Sequence, residues 1–214
     1  MSLTTELQAL NDKNRSQIPE EILAKMDKAT ADLKAKHFAE ITLQVGDTFP
    51  NTTLPNAKGE KISLNNLNEG KKLIVSFYRG GWCPYCNLEL KALQNSLDTF
   101  KENGAELVAI TPETPDNSLS TSEKNNLSFE VLSDVDNVFA KEIGLVFELP
   151  EDIKAIYNNF GIDVKKHNNN DDFELPMPAT FVLDENGKII YQFVNEDYTK
   201  RAEIEDILKA LKTK

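Results

Sequence analysis

Cysteine, basic charge and long apolar runs are all scarce in this sequence. Two cysteines among 214 residues cannot build the disulfide framework of a small secreted domain. Lysine and arginine total 24 against 35 acids, a formal net charge of −11. A surface of that sign repels phosphate backbones and anionic headgroups, so neither nucleic acid nor membrane is expected as a partner. No apolar run approaches the roughly 20 residues that cross a bilayer. The N-terminus lacks the basic, apolar, small-residue order of a secretory signal, and a soluble cytoplasmic protein is the expectation. Glycine is sparse, 9 in all. None falls in a G-x-G-x-x-G arrangement, so no dinucleotide or phosphate loop and no cofactor is expected.

Hydrophobic residues nevertheless make up 40% of the chain, enough for a sizeable core, and the length suits one large domain with an extension. Residues 1–40 read as that extension. Leu3, Leu7 and Leu10 share one helical face, and Ile22, Met26, Ala29 and Leu33 repeat the pattern after a helix start at Pro19-Glu20-Glu21. Each stripe needs burial, on the main domain or across a homodimer contact. From 41 to 214 short apolar runs alternate with helical patterns: 73–78, 107–110, 129–132 and 180–183, then a final strand 188–194 after Asp184-Glu185-Asn186-Gly187. The order predicts an α/β domain of βαβ units closed by a hairpin and a helix. The stretch 165–172, with three successive asparagines at 168–170, reads as a flexible surface loop.

Both cysteines lie in Phe77-Tyr78-Arg79-Gly80-Gly81-Trp82-Cys83-Pro84-Tyr85-Cys86-Asn87-Leu88-Glu89-Leu90, between a buried strand and a helix. A thiol at a helix N-terminus faces unpaired N–H groups and the positive end of the dipole, which stabilises its thiolate. A second thiol one turn on can close a disulfide with little rearrangement, so the pair reads as a redox couple. Cys86 continues the stripe of Leu90, Leu93, Leu97 and Phe100, whereas Cys83 precedes the helix. On that geometry Cys83 is the more exposed sulfur and the nucleophile, Cys86 the resolving thiol, and Arg79 a nearby positive charge favouring thiolate. Trp82 and Tyr85 offer a substrate platform. A structural zinc site needs four ligands, and beyond the two sulfurs only His37 and His167 lie far off in sequence, so no metal is expected. Pro178, entering the strand at Ala179, sits at an X-Pro bond, the kind at which cis peptides occur.

At these residues the sequence resembles the thioredoxin-fold superfamily, and within it the peroxiredoxin-like branch of the alkyl hydroperoxide reductase/thiol-specific antioxidant family. The resemblance runs from Val45-Gly46-Asp47-Thr48-Phe49-Pro50 through the cysteine loop to Ala179-Thr180-Phe181-Val182-Leu183-Asp184. It implies a three-layer α/β/α thioredoxin fold with a mixed central sheet, carrying the N-terminal helical extension. It also implies reduction of peroxides, with electrons returned by thioredoxin, glutaredoxin or a small thiol. The family register puts the peroxide-attacking cysteine at Cys86. It also puts Arg79 where peroxiredoxins have proline, Cys83 where they have threonine, and Pro178 where they have arginine. The thioredoxin register instead makes Cys83 the nucleophile and Pro178 a cis-proline, with Ser76 where thioredoxins bury an acid. A disulfide reductase that does not use peroxide, and a non-catalytic redox sensor or interaction protein, are the alternatives.

Overall fold

The structure is a computed structural model and describes residues 2–213. Three helices come first: α1 (Leu3–Arg15), α2 (Glu20–Lys34) and α3 (Phe38–Ile41). The hairpin β1 (Thr53–Pro55)/β2 (Lys61–Ser63) and α4 (Leu64–Asn68) follow. Next come β3 (Lys72–Phe77), α5 (Pro84–Asn95), α6 (Leu97–Glu102), β4 (Ala105–Thr111), α7 (Pro115–Asn125), β5 (Glu130–Ser133) and α8 (Val138–Glu142). The chain ends with β6 (Val146–Glu148), α9 (Glu151–Asn159), α10 (Val164–Asn168), β7 (Glu174–Pro176), β8 (Ala179–Leu183), β9 (Ile189–Val194) and α11 (Ile204–Leu211).

The five-stranded sheet has the order β5-β4-β3-β8-β9. Strands β3, β4 and β5 are parallel, joined by helical crossovers, while β8 and β9 run antiparallel to their neighbours. The sheet is therefore mixed, as the fold class expects. Alternation along β3 divides the interior. Leu73, Val75 and Phe77 face a core shared with Phe49, Phe139 and Phe181, and Ile74 faces a second one built from Leu93, Phe100, Leu107, Ile207 and Leu211. The small antiparallel pair β6/β7, whose strands are separated by α9 and α10, had no sequence signal beyond short apolar pairs.

The two N-terminal helices behave differently. On α1, Leu3 and Leu7 are buried in a cluster with Tyr85, Cys86 and Leu90 of α5. The stripe on α2 is only half-buried, beside Ile153, Ile156 and Tyr157 of α9. Ile22, Met26 and Ala29 pack on that cluster, while Met26, Ala29 and Leu33 also border a cavity, so the stripe finds partial cover within the chain. The 165–172 stretch departs further from its sequence reading. Its first half is α10, and Asn168 is fully buried instead of solvated.

Candidate active site

Strand β3 ends against the sheet, and the chain must turn sharply to begin α5. At Gly80 (φ 149°) a Cβ would stand 2.3 Å from Trp82 Nε1, and at Gly81 one would stand 2.0 Å from Thr121 Oγ1, so neither position admits a side chain. The turn is pinned on both sides. The Gly81 amide donates to Glu113 Oε2 at 2.8 Å, Asn87 Nδ2 donates to the Gly81 carbonyl at 2.8 Å, and the Cys83 amide donates to the Gly80 carbonyl at 3.1 Å.

Cys83 is the N-cap of α5, with Pro84 at the first helical position and Cys86 one turn on. Both are free thiols. Cys83 was expected to be the more exposed sulfur, but it is 1% exposed and Cys86 0%. Most of the reason lies outside the motif: Leu3 and Leu7 of α1 and Tyr198 pack with Tyr85 in the cluster that buries both sulfurs. Their electrostatics differ sharply. Burial pushes the Cys83 thiol up, but a hydrogen bond with Cys86 and the charges of Arg79 and Arg201 outweigh it and bring it down to about 6. Burial and the shared hydrogen bond with Cys83 push Cys86 well above the ordinary thiol range. The two shifts run in opposite directions, down at Cys83 and up at Cys86.

Two buried guanidiniums bear on the sulfurs, and one of them touches Cys86. Arg79, 2% exposed, donates through Nη2 to the Tyr157 hydroxyl. Its guanidinium carbon lies 5.0, 5.5 and 4.9 Å from the ring centroids of Trp82, Tyr157 and Tyr198, within cation–π range. Arg201 is satisfied by the chain itself. Its Nε donates to Glu89 Oε2 at 2.5 Å, one Nη to the carbonyls of Tyr198 and Lys200 at 2.8 and 2.6 Å, and the other to Cys86 Sγ at 3.1 Å. Glu89, one turn beyond Cys86, also accepts from Thr180 Oγ1 at 3.4 Å. Burial lifts its carboxyl to about 7 in spite of the Arg201 charge.

Among the other predicted site residues, Trp82 packs edge-on against Tyr157, with centroids 5.7 Å apart. Tyr85 faces α1 rather than an open platform: its hydroxyl donates to Asn11 Oδ1 at 3.1 Å, and its ring packs edge-on against Tyr198. Pro178 lines the cavity that reaches Arg79. No cis peptide bond occurs among the described residues, so the Met177–Pro178 bond is trans and Pro178 is not the cis-proline of the thioredoxin register.

Several residues of the site were not singled out from the sequence. Of the chain's 24 basic residues only Arg15, Arg79 and Arg201 are arginine, and arginine is the cation suited to buried, forked pairing. That rarity was the available signal for Arg201. Glu89 sits on the stripe of Cys86, Leu90 and Leu93, and an acid on an apolar helix face marks a buried carboxylate. Tyr157 and Tyr198 carry no mark at all. His167 was set aside as a loop residue, yet its Nδ1 lies 2.7 Å from Glu113 Oε1, the carboxylate that holds Gly81.

Known proteins resemble this chain in sequence and fold. The AhpC/TSA family model matches residues 45–192. Chloroplastic peroxiredoxin Q of Sedum lineare is 31% identical over 82% of this chain and 81% of its own length. Peroxiredoxin Bcp of Escherichia coli (strain K12) is 29% identical over 48% of this chain and 65% of its own length. Among solved structures, peroxidoxin BcpB from Mycobacterium tuberculosis superposes with a TM-score of 0.62 at 20% identity, covering 79% of this chain and 96% of that one. Reduced Prx3 from Vibrio vulnificus, in complex with hydrogen peroxide, does so at 0.63 and 21%, covering 79% and 99%. These structural likenesses establish the fold. No helix among the described residues is long and apolar enough to cross a membrane.

Proposed function

The chain belongs to the AhpC/TSA family, and on that premise we propose that it reduces peroxides through a Cys83/Cys86 dithiol–disulfide cycle in which Cys83 attacks. The contrast between the sulfurs carries the choice: a hydrogen bond with Cys86 and the charges of Arg79 and Arg201 bring the Cys83 thiol down to about 6, whereas Cys86 is pushed well up. The Cys83 thiolate attacks the terminal oxygen of ROOH, an S–O bond forms, the O–O bond breaks, and the leaving alkoxide takes a proton to become ROH. The Cys86 sulfur then attacks the sulfenic sulfur. The S–S bond forms, the hydroxyl leaves, and it takes the Cys86 proton to become water. Arg79 and Arg201 stabilise the thiolate and the negative charge that develops on the leaving oxygen. Glu89 holds Arg201 against Cys86 and, with its carboxyl near 7, is suited to carry a proton during resolution. Thioredoxin, glutaredoxin or a small thiol returns the electrons, in the cytoplasm.

Because both sulfurs are sealed, reaction requires an opening. The helices of residues 2–40 serve as a cover on a body formed by the residues from 41 onward, and the cavity between α2 and α9 supplies the way in. Stopped-flow mixing of the reduced protein with hydrogen peroxide, followed through Trp82, tests the reading against disulfide reduction by the same sample. Cys86→Ser should accumulate sulfenic acid on Cys83, and Cys83→Ser should be inert. Sulfenic acid on Cys86 in the Cys83→Ser protein would transfer the attack to Cys86, the family register. Reduction of a protein disulfide without peroxide consumption would make the chain a disulfide reductase.

A further inference from the structure

The buried charges of the site balance only in the reduced protein. Arg201 is answered by Glu89. Among the described residues Arg79 has no carboxylate partner. Of its donors only Nη2 bonds, to Tyr157, and its fully buried Nε has no hydrogen-bond partner. The Cys83 thiolate supplies the missing negative charge. When Cys83 and Cys86 join, that charge is gone and a guanidinium is left unpaired in a dry site, an arrangement proteins otherwise avoid.

We propose that Arg79 is the inner end of an anion site, occupied only when Cys83 carries no charge, and that its ligand is a short aliphatic carboxylate lying in the cavity between α2 and α9. The proposal rests on the reading of Cys83 as the thiolate. The cavity measures about 80 Å³, and Arg79, Pro178, Met26, Leu33, Phe147 and Ile153 are among its lining residues. With about 10–15 Å³ needed per water by this measure, it holds about five to eight heavy atoms. Its remaining charged lining residues are Asp32, Glu148, Glu196 and Lys36. Three acids against one lysine reject multiply charged anions such as phosphate. A single charge that pairs with Arg79 while an alkyl chain trails between the helices satisfies both the cation and the apolar walls. A carboxylic acid carrying a thiol or a hydroperoxide group belongs to the same chemical class, so the site offers a handle on either reaction partner.

Hexanoate is a suitable probe, with hexanamide as its uncharged counterpart and inorganic phosphate as the competing anion. Binding is measured by calorimetry and Trp82 fluorescence at pH 8, on the full chain, reduced or converted to the disulfide with diamide. The disulfide form should bind hexanoate at least about tenfold more tightly than the reduced form, a difference of about 1.4 kcal/mol. Cys83→Ser, which removes the thiolate without a disulfide, should bind like the oxidised protein even under reducing conditions. Hexanamide should bind both forms alike and weakly, phosphate neither, and Arg79→Gln should erase the preference for hexanoate. Equal hexanoate affinity in the reduced, oxidised and Cys83→Ser proteins would overturn the proposal, as would hexanamide binding as well as hexanoate. Diamide makes the disulfide without peroxide, so a protein inert to peroxide can still support this site, and a peroxide-active protein can still refute it.

Discussion

The two ends of strand β3 are buried to the same degree by opposite means. Around Leu73, Ile74 and Val75 the interior is aliphatic and aromatic on both faces of the sheet. A few residues on, beyond Phe77, it contains Arg79, Glu89, Glu113 and Arg201, none more than 4% exposed. The apolar end gains from every methylene removed from water and tolerates small losses of shape. The charged end stands only while each ion keeps its partner. Stability resides at one end and thiol chemistry at the other, and substitutions should separate them.

The largest effect is expected from Arg201→Met, which leaves Glu89 buried without its cation and should destabilise the protein by about 3–5 kcal/mol. It should also raise the pH at which Cys83 alkylates, since a cation beside the thiolate is gone. Adding Glu89→Leu should recover much of the stability but none of the thiol acidity. Urea unfolding with iodoacetamide kinetics checks both. If the double variant is no more stable than Arg201→Met, the ion pair is not what makes the charged end fragile.

Acidity at Cys83 carries a pH signature. Its thiol is lowered to about 6 in the fold and ordinarily titrates near 8.5. Between these values the unfolded chain binds the extra proton, so stability rises with pH across that window and this contribution is lost as pH falls through 6. Glu89 works the other way. Its carboxyl is raised to about 7, so its contribution is full below about 4.3, the ordinary glutamate value, and is lost as pH rises through 7. From pH 7 to 8.5 the Cys83 trend is therefore the one to read. The urea midpoint of the reduced protein should climb there, and Cys83→Ser should remove the climb.

At the apolar end, Ile74→Val should cost about 0.5–1.5 kcal/mol, the usual loss for one buried methyl group, and leave the alkylation profile of Cys83 where it was. A shifted profile would mean that the two ends are coupled through the sheet.

How far each end could be read from sequence follows from the same contrast. The apolar run 73–78 and the stripe of Leu90, Leu93, Leu97 and Phe100 are local signals, so the strands, α5 and their core were legible. The cysteine loop was legible because its residues are contiguous. The partners of the charged end are not: Arg201 meets Glu89 across 112 positions and Arg79 meets Tyr157 across 78. No periodicity encodes such pairings. The burial of Cys83 was hidden for the same reason, since a helix some 80 residues upstream in sequence supplies the cover. His167 stood in a polar stretch whose composition suggested solvent, and only the fold brings it to Glu113.

The smallest effect concerns that cover. Arg15 joins α1 to α2 through a two-pronged pair with Asp27, at 2.7 and 2.9 Å, with side chains 40% and 57% exposed. An ion pair this exposed is worth about 0–1 kcal/mol, so Asp27→Asn should barely move the urea midpoint. Opening of the cover is a local event, however, and the loss weighs on it in full. A change of 1 kcal/mol is about fivefold in an opening equilibrium, so alkylation of Cys83 should quicken by up to that factor while global stability stays nearly constant. Faster alkylation in step with lower global stability would instead mean that the sulfurs are reached only by whole-domain unfolding. An unchanged alkylation rate would mean that the pair joining α1 to α2 does not hold the cover closed over the sulfurs.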